Sequence, residues 1–66
     1  MQVILNGEPL NLDDAPSIAE LLQRKGYAER RVAVEINRAI VPRSQHAIRH
    51  VAEGDQIEIV QAMGGG

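Results

Sequence analysis

The sequence predicts an α+β fold, a mixed sheet of about five strands with one helix packed across one face. Three observations predict it. Short runs with apolar residues at every second position occur at both ends and in the middle of the chain. A single stretch, Ser17 to Lys25, instead spaces its apolar residues as one face of a helix. Turn-forming residues separate the runs, notably Asn6-Gly7 and Glu53-Gly54-Asp55.

Met1 to Leu5 favours extended structure. Met1, Val3 and Leu5 fall on one side, Gln2 and Ile4 on the other. Asn6-Gly7 follows at once, and because both residues tolerate positive φ the pair reads as a hairpin turn. Leu10 and Leu12 alternate in the returning run. Pro9 has no N–H to give to a ladder, which restricts this run to an edge strand or a strand start. Asp13 to Pro16 turns the chain. Ser17-Ile18-Ala19-Glu20 has the form of a capping box, in which the Ser17 hydroxyl and the Glu20 carboxylate satisfy each other's backbone N–H. Ile18, Leu21 and Leu22 share one face. Arg24 and Lys25 suit the negative end of the helix dipole, and Gly26 is a natural stop. The helix is expected over residues 17–25.

Tyr27 to Arg30 is a connection. Val32, Val34 and Ile36 alternate with Ala33 and Glu35, a half-buried strand. Asn37-Arg38 turns the chain into Ala39-Ile40-Val41, and Pro42 ends that strand. Arg43 to Val51 is polar and reads as a loop or short helical turn pinned by Ile48 and Val51. Glu53-Gly54-Asp55 is a turn. Gln56 to Val60 is the last strand, with Ile57 and Ile59 inward. If it lies beside the N-terminal strand, the sheet is mixed.

Length and composition narrow the function. The 66 residues make one domain near the lower size limit for folding unaided, with stability on the order of 3–5 kcal/mol. The folded part is expected over 1–62 and a flexible tail over 63–66. There is no cysteine, which excludes a disulfide, a thiolate zinc site and a cysteine nucleophile and fits a reducing compartment. Tyr27 is the only aromatic residue, too few for a base-stacking surface. Net charge is −2, and the seven basic residues are scattered along the sequence, which argues against a nucleic-acid footprint. No apolar run is long enough for a membrane span. The expectation is a small soluble cytoplasmic protein.

The last residues, Met63-Gly64-Gly65-Gly66, offer nothing to a core. Glycine has the most backbone freedom to lose on ordering and no side chain to pack. A carboxylate on so thin a stalk can be threaded into a narrow enzyme site. One reading is a carrier whose chemistry occurs on the Gly66 carboxylate; the other is a solvated end or linker. No other group of residues has the form of an active site. His46 and His50 would share a face on a helix, but a third ligand is not evident, and two exposed, titrating histidines are expected, with no metal. Asp13 and Asp14 diverge, and a role at the helix N-terminus accounts for them. The serines lack a nucleophile-elbow context, and the glycines are not followed by a helix as a phosphate loop requires. Val60, Ala62, Met63 and Ile4 could form an apolar partner patch at the root of the tail, or Val60 and Met63 could close the rim of the core.

Several segments together resemble a known family. They are Gln2-Val3-Ile4-Leu5-Asn6-Gly7-Glu8, Val32 to Asn37, Ile40-Val41-Pro42-Arg43-Ser44-Gln45, and Glu53 to Val60 with the glycine tail. Over essentially its whole length the chain resembles the ThiS family of bacterial sulfur carriers, which are ubiquitin-like β-grasp proteins of thiamine biosynthesis. The resemblance implies a carrier and co-substrate with no enzyme activity and no bound cofactor of its own. A ThiF-like adenylyltransferase would use MgATP to adenylate Gly66. A sulfurtransferase or cysteine desulfurase would deliver persulfide sulfur to give a thiocarboxylate. A ThiG-like thiazole synthase would take that sulfur into the thiazole ring. Gly64 and Gly65 would supply reach inside the partner site. The family ends in a Gly-Gly pair, whereas three glycines stand here: either Gly66 is the working terminus on a slightly longer stalk, which is the reading adopted, or a residue is removed before use. The same chemistry would serve a carrier for molybdopterin or tRNA thiolation. A ubiquitin-like binding module would need no carboxylate at all.

Overall fold

The computed structural model describes residues 1–28 and 30–61. β1 (Gln2–Leu5) and β2 (Glu8–Asn11) form the first hairpin. α1 (Ile18–Arg24) follows, then the second hairpin of β3 (Val32–Ile36) and β4 (Ala39–Val41). A 3-10 turn covers Arg43–Gln45, and β5 is Gln56–Gln61. The strand order is β2-β1-β5-β3-β4. β5 lies at the centre, parallel to β1 and antiparallel to β3, so the sheet is mixed as expected.

Both hairpin turns use left-handed backbone. Asn6 and Gly7 have φ of 49° and 84°, Asn37 and Arg38 of 51° and 71°. Two positive φ values in a row match the twist of the flanking strands, which is why tight hairpins select them. Pro9 sits on the edge strand β2, where a missing N–H costs no ladder bond.

The capping box forms as predicted. Ser17 Oγ accepts from Glu20 N at 3.1 Å, and Glu20 Oε1 accepts from Ser17 N at 2.9 Å. At the other end Gly26 takes φ of 85°. Its N–H donates to Gln23 O, and the Tyr27 N–H donates to Leu22 O. These two bonds form a Schellman stop, which satisfies carbonyls the helix leaves open. Ile18, Leu21 and Leu22 are buried on one face of α1. They share a core with Val3 of β1, Val34 and Ile36 of β3, Val41 of β4 and Ile57 and Ile59 of β5. Every one of these strand residues belongs to the inward parity of its strand.

Three expectations need correction. Ile48 does not pin the segment after β4; it is 66% exposed. Val51 and His46 are the buried residues there. His46 is drawn in because its backbone O accepts from Ala19 N, one of the donors the first helical turn leaves open, and its ring Nε2 donates to Val41 O at 3.0 Å. It is therefore not the exposed histidine expected. Asp14 does not serve the helix N-terminus. It forms a two-pronged pair with Arg24 in the last turn of α1, at 3.0 and 2.6 Å.

Candidate functional site

The end of β5 is where the sheet hands the chain on to the tail, and its surroundings are built by three elements. On one side β3 pairs with β5 to the end of the described chain, with Ala33 opposite Val60 and Val32 opposite Gln61. On the other side β1 stops at Leu5. Asn6 continues its role for one more step: its N–H donates to Ile57 O and its Oδ1 accepts from Ile59 N, both at 2.8 Å. The β1–β2 turn thus serves as a cap on the central strand. β4 supplies the third element. Val34 faces Val41 across the second hairpin, so Pro42 and Arg43 leave the sheet beside Ala33 and Val32.

Two concavities open here. A groove of about 390 Å³ runs between α1 and the Tyr27–Val32 connection, lined by Leu22, Tyr27, Arg30, Val32, Arg43 and His46 among others. A shallower one of about 330 Å³ lies on the other side, lined by Arg31, Val32, Ala33, Arg43 and Val60. Val32 and Arg43 belong to both, so the two form one surface around the root of the tail. Arg30 reaches Gln61, its Nη1 lying 3.4 Å from Oε1.

Three of the seven basic residues come together in space, and the other four, Arg24, Lys25, Arg38 and Arg49, line neither groove. Arg30, Arg31 and Arg43 gather at the tail end of the sheet. Two carboxylates, Glu53 and Asp55, stand at the opposite end of β5, while Glu35 and Glu58 pair in the middle of the sheet. Asp55 is buried and accepts from Asn37 Nδ2 at 3.0 Å and Ala52 N at 2.8 Å. Glu53 accepts from Gln2 N. Among the described residues the one ion pair is Arg24–Asp14, on the outer side of α1. The Arg24 guanidinium bonded to Asp14 holds that carboxyl below its ordinary range.

Of the residues read as a partner patch, Val60 is 56% exposed on the open face of the sheet. Ile4 is on the same face but pairs with Gln56, four residues from Val60, or about 13 Å along the strand. The structure does not bring the two together. Ala62, Met63, Gly64, Gly65 and Gly66 lie outside the described residues. His46 and His50 do not face a common point. His46 is committed to Val41 O, and His50 Nδ1 donates to Ala15 O at 2.6 Å. No group of three metal-ligating side chains occurs among the described residues. No helix among them is long and apolar enough to cross a membrane. Sequence reasoning missed the arginines. The signal was present, because a hairpin closing at Asn37-Arg38 carries Arg43 back beside Val32 and Arg31.

Comparison with known proteins bears on the same region. The profile of the ThiS family matches residues 3–66. The sulfur carrier protein ThiS of Escherichia coli is 35% identical over 66 residues, covering 100% of both chains. A thiazole synthase of Magnetococcus marinus is 42% identical over 66 residues, and there the chain spans 20% of that protein's length. The crystal structure of the thiamine biosynthesis protein (ThiS) from Geobacter metallireducens matches with a TM-score of 0.85 at 32% identity, covering 100% of both chains.

Proposed function

The chain belongs to the ThiS family, and from that premise we propose that it is a sulfur carrier of thiamine biosynthesis whose chemistry takes place on the Gly66 carboxylate. The observation that carries this reading is the family match running through residue 66. The fold supports it. The mixed five-stranded sheet with one helix is the ubiquitin-like β-grasp arrangement, and its central strand leads directly toward the tail.

The division of labour is between a folded part, 1–62, and the stalk, 63–66. A carboxylate is a poor electrophile, because its charge resists attack. The Gly66 carboxylate attacks the α-phosphorus of ATP in the site of a ThiF-like adenylyltransferase, and pyrophosphate leaves. The resulting acyl-adenylate accepts the terminal sulfur of a persulfide, and AMP leaves. Attack by a second thiol on the acyl disulfide releases the thiocarboxylate. A ThiG-like thiazole synthase is the acceptor. The fusion-length relative supports that partner, since a protein called thiazole synthase contains a stretch similar to this whole chain. ATP and Mg²⁺ are consumed in the partner's site. The carrier contributes the carboxylate, and Gly64 and Gly65 give it a stalk without side chains.

The test is intact mass after incubation with ATP, Mg²⁺, a ThiF-like enzyme and a persulfide donor. The expected result is a gain equal to exchange of one oxygen for sulfur, abolished when the Gly66 carboxylate is amidated. An unchanged mass with an active partner enzyme would overturn the carrier reading in favour of a binding module.

A further inference from the structure

We propose that Arg30, Arg31 and Arg43 form a cationic collar around the root of the tail, and that it docks on a carboxylate-lined entrance in the protein partner that takes the tail. The inference rests on the carrier reading and adds to it where the partner must touch.

Reach sets the geometry. From Gln61 to Gly66 there are five residues, and an extended chain spans at most about 3.3–3.6 Å per residue. The reacting groups of a partner must therefore come within about 18 Å of Gln61. A channel that encloses the stalk over that distance ends with its mouth against the surface around Val60 and Gln61. That surface is not neutral. Arg31 and Arg43 flank the apolar group Val32, Ala33 and Val60, and Arg30 stands over Gln61 from the other groove. An apolar centre with a charged rim is the usual build of a protein contact.

The charge identifies the occupant. The chain carries a net charge of −2, yet three of its seven Lys and Arg residues gather at this one end. Arginine presents a planar fork that pairs two-pronged with carboxylates, which gives orientation as well as attraction. A partner mouth rimmed with Asp and Glu fits this collar. Such a rim would repel most of the acidic domain and accept only the end from which the tail leaves. A single-stranded nucleic acid fits less well, because the one aromatic residue, Tyr27, lies between α1 and β3 rather than on the open face.

The experiment is steady-state adenylation of the full chain by its adenylyltransferase, at low and at about 0.15 M ionic strength. Rim charges act mainly on encounter and on salt dependence. Arg31→Glu with Arg43→Glu is expected to raise KM about tenfold or more with kcat unchanged, and to remove the weakening by salt seen with the parent chain. Arg31→Lys with Arg43→Lys keeps the charge and is expected to stay within a few-fold of the parent. Arg38→Glu with Arg49→Glu makes the same change in net charge at residues lining neither groove, and is expected to leave KM near the parent value. Thermal melts of all variants check that the domain is folded. An unchanged KM in the Arg31/Arg43 reversal overturns the collar. So does an equal effect from the Arg38/Arg49 pair, which would make the effect one of net charge. If the parent chain accepts no AMP, the carrier reading itself fails and the collar falls with it.

Discussion

Replacing Val60 by Asp, and separately Ile59 by Asp, puts the same carboxylate on opposite faces of β5. With 56% of its surface exposed, Val60 holds less than half of the ~1.5–3 kcal/mol that full burial of such a side chain supplies. Its loss costs about 1 kcal/mol, and exchanging a β-favouring residue for Asp adds up to about 1 kcal/mol. A domain of this size has stability on the order of 3–5 kcal/mol. Val60→Asp therefore stays mostly folded. Ile59 is 7% exposed. Ile59→Asp forfeits nearly the whole transfer term and also buries an unpaired carboxylate, which costs several kcal/mol more. That sum consumes the stability of the domain. Urea unfolding followed by far-UV circular dichroism separates the two outcomes, and adenylation kinetics on Val60→Asp then give its KM. The expected result is a folded Val60→Asp with raised KM and an unfolded Ile59→Asp. An unfolded Val60→Asp would place Val60 in the core. A folded one with the parent KM would show that the open face near the tail touches no partner.

Two further predictions concern stability. Hydrogen bonding to the Ser17 backbone and side chain lowers the Glu20 pKa, and bonding to Arg24 lowers that of Asp14; carboxyls depressed in the folded state stabilise it above their unfolded pKa values. This contribution is lost as pH falls below the ordinary values of 4.5 and 3.8 toward the lowered ones. Glu20→Gln should thus lower the melting temperature at neutral pH and give a shallower acid limb in a pH series of melts. Glu35 and Glu58 face each other directly across β3 and β5, and like charges so placed are destabilising. Glu58→Lys converts the pair to an attractive one and should stabilise the domain by about 0.5 kcal/mol, read from urea midpoints.

What the sequence made legible is what depends on neighbours in the chain. The capping box needs only Ser17 and Glu20, three residues apart, and the Gly26 stop needs only the helix it ends. The two hairpins follow from Asn6-Gly7 and Asn37-Arg38 with the parity of the flanking residues. The features that escaped depend on partners far away in the chain. Asp14 finds Arg24 ten residues on, across the length of α1. His46 is buried because the helix N-terminus and the Val41 carbonyl both lie within its reach. Ile4 was placed on the correct face, but only the parallel register of β1 on β5 sets it beside Gln56 and away from Val60. The collar is intermediate: half of it follows from the second hairpin, and half from a loop with no regular pattern.

The position of β5 also has a consequence for synthesis and turnover. Among the described residues it is the last strand in chain order, yet it holds the middle of the sheet. Without it β1–β2 and β3–β4 are two separate hairpins, and hairpins of that length are not stable alone. A nascent chain can therefore not close its core until residues 56–61 have been made. A chain cut short anywhere in that strand would be left open to proteolysis. The cell's supply of folded domain is then a supply of chains that have reached the end of β5, the strand from which the tail continues.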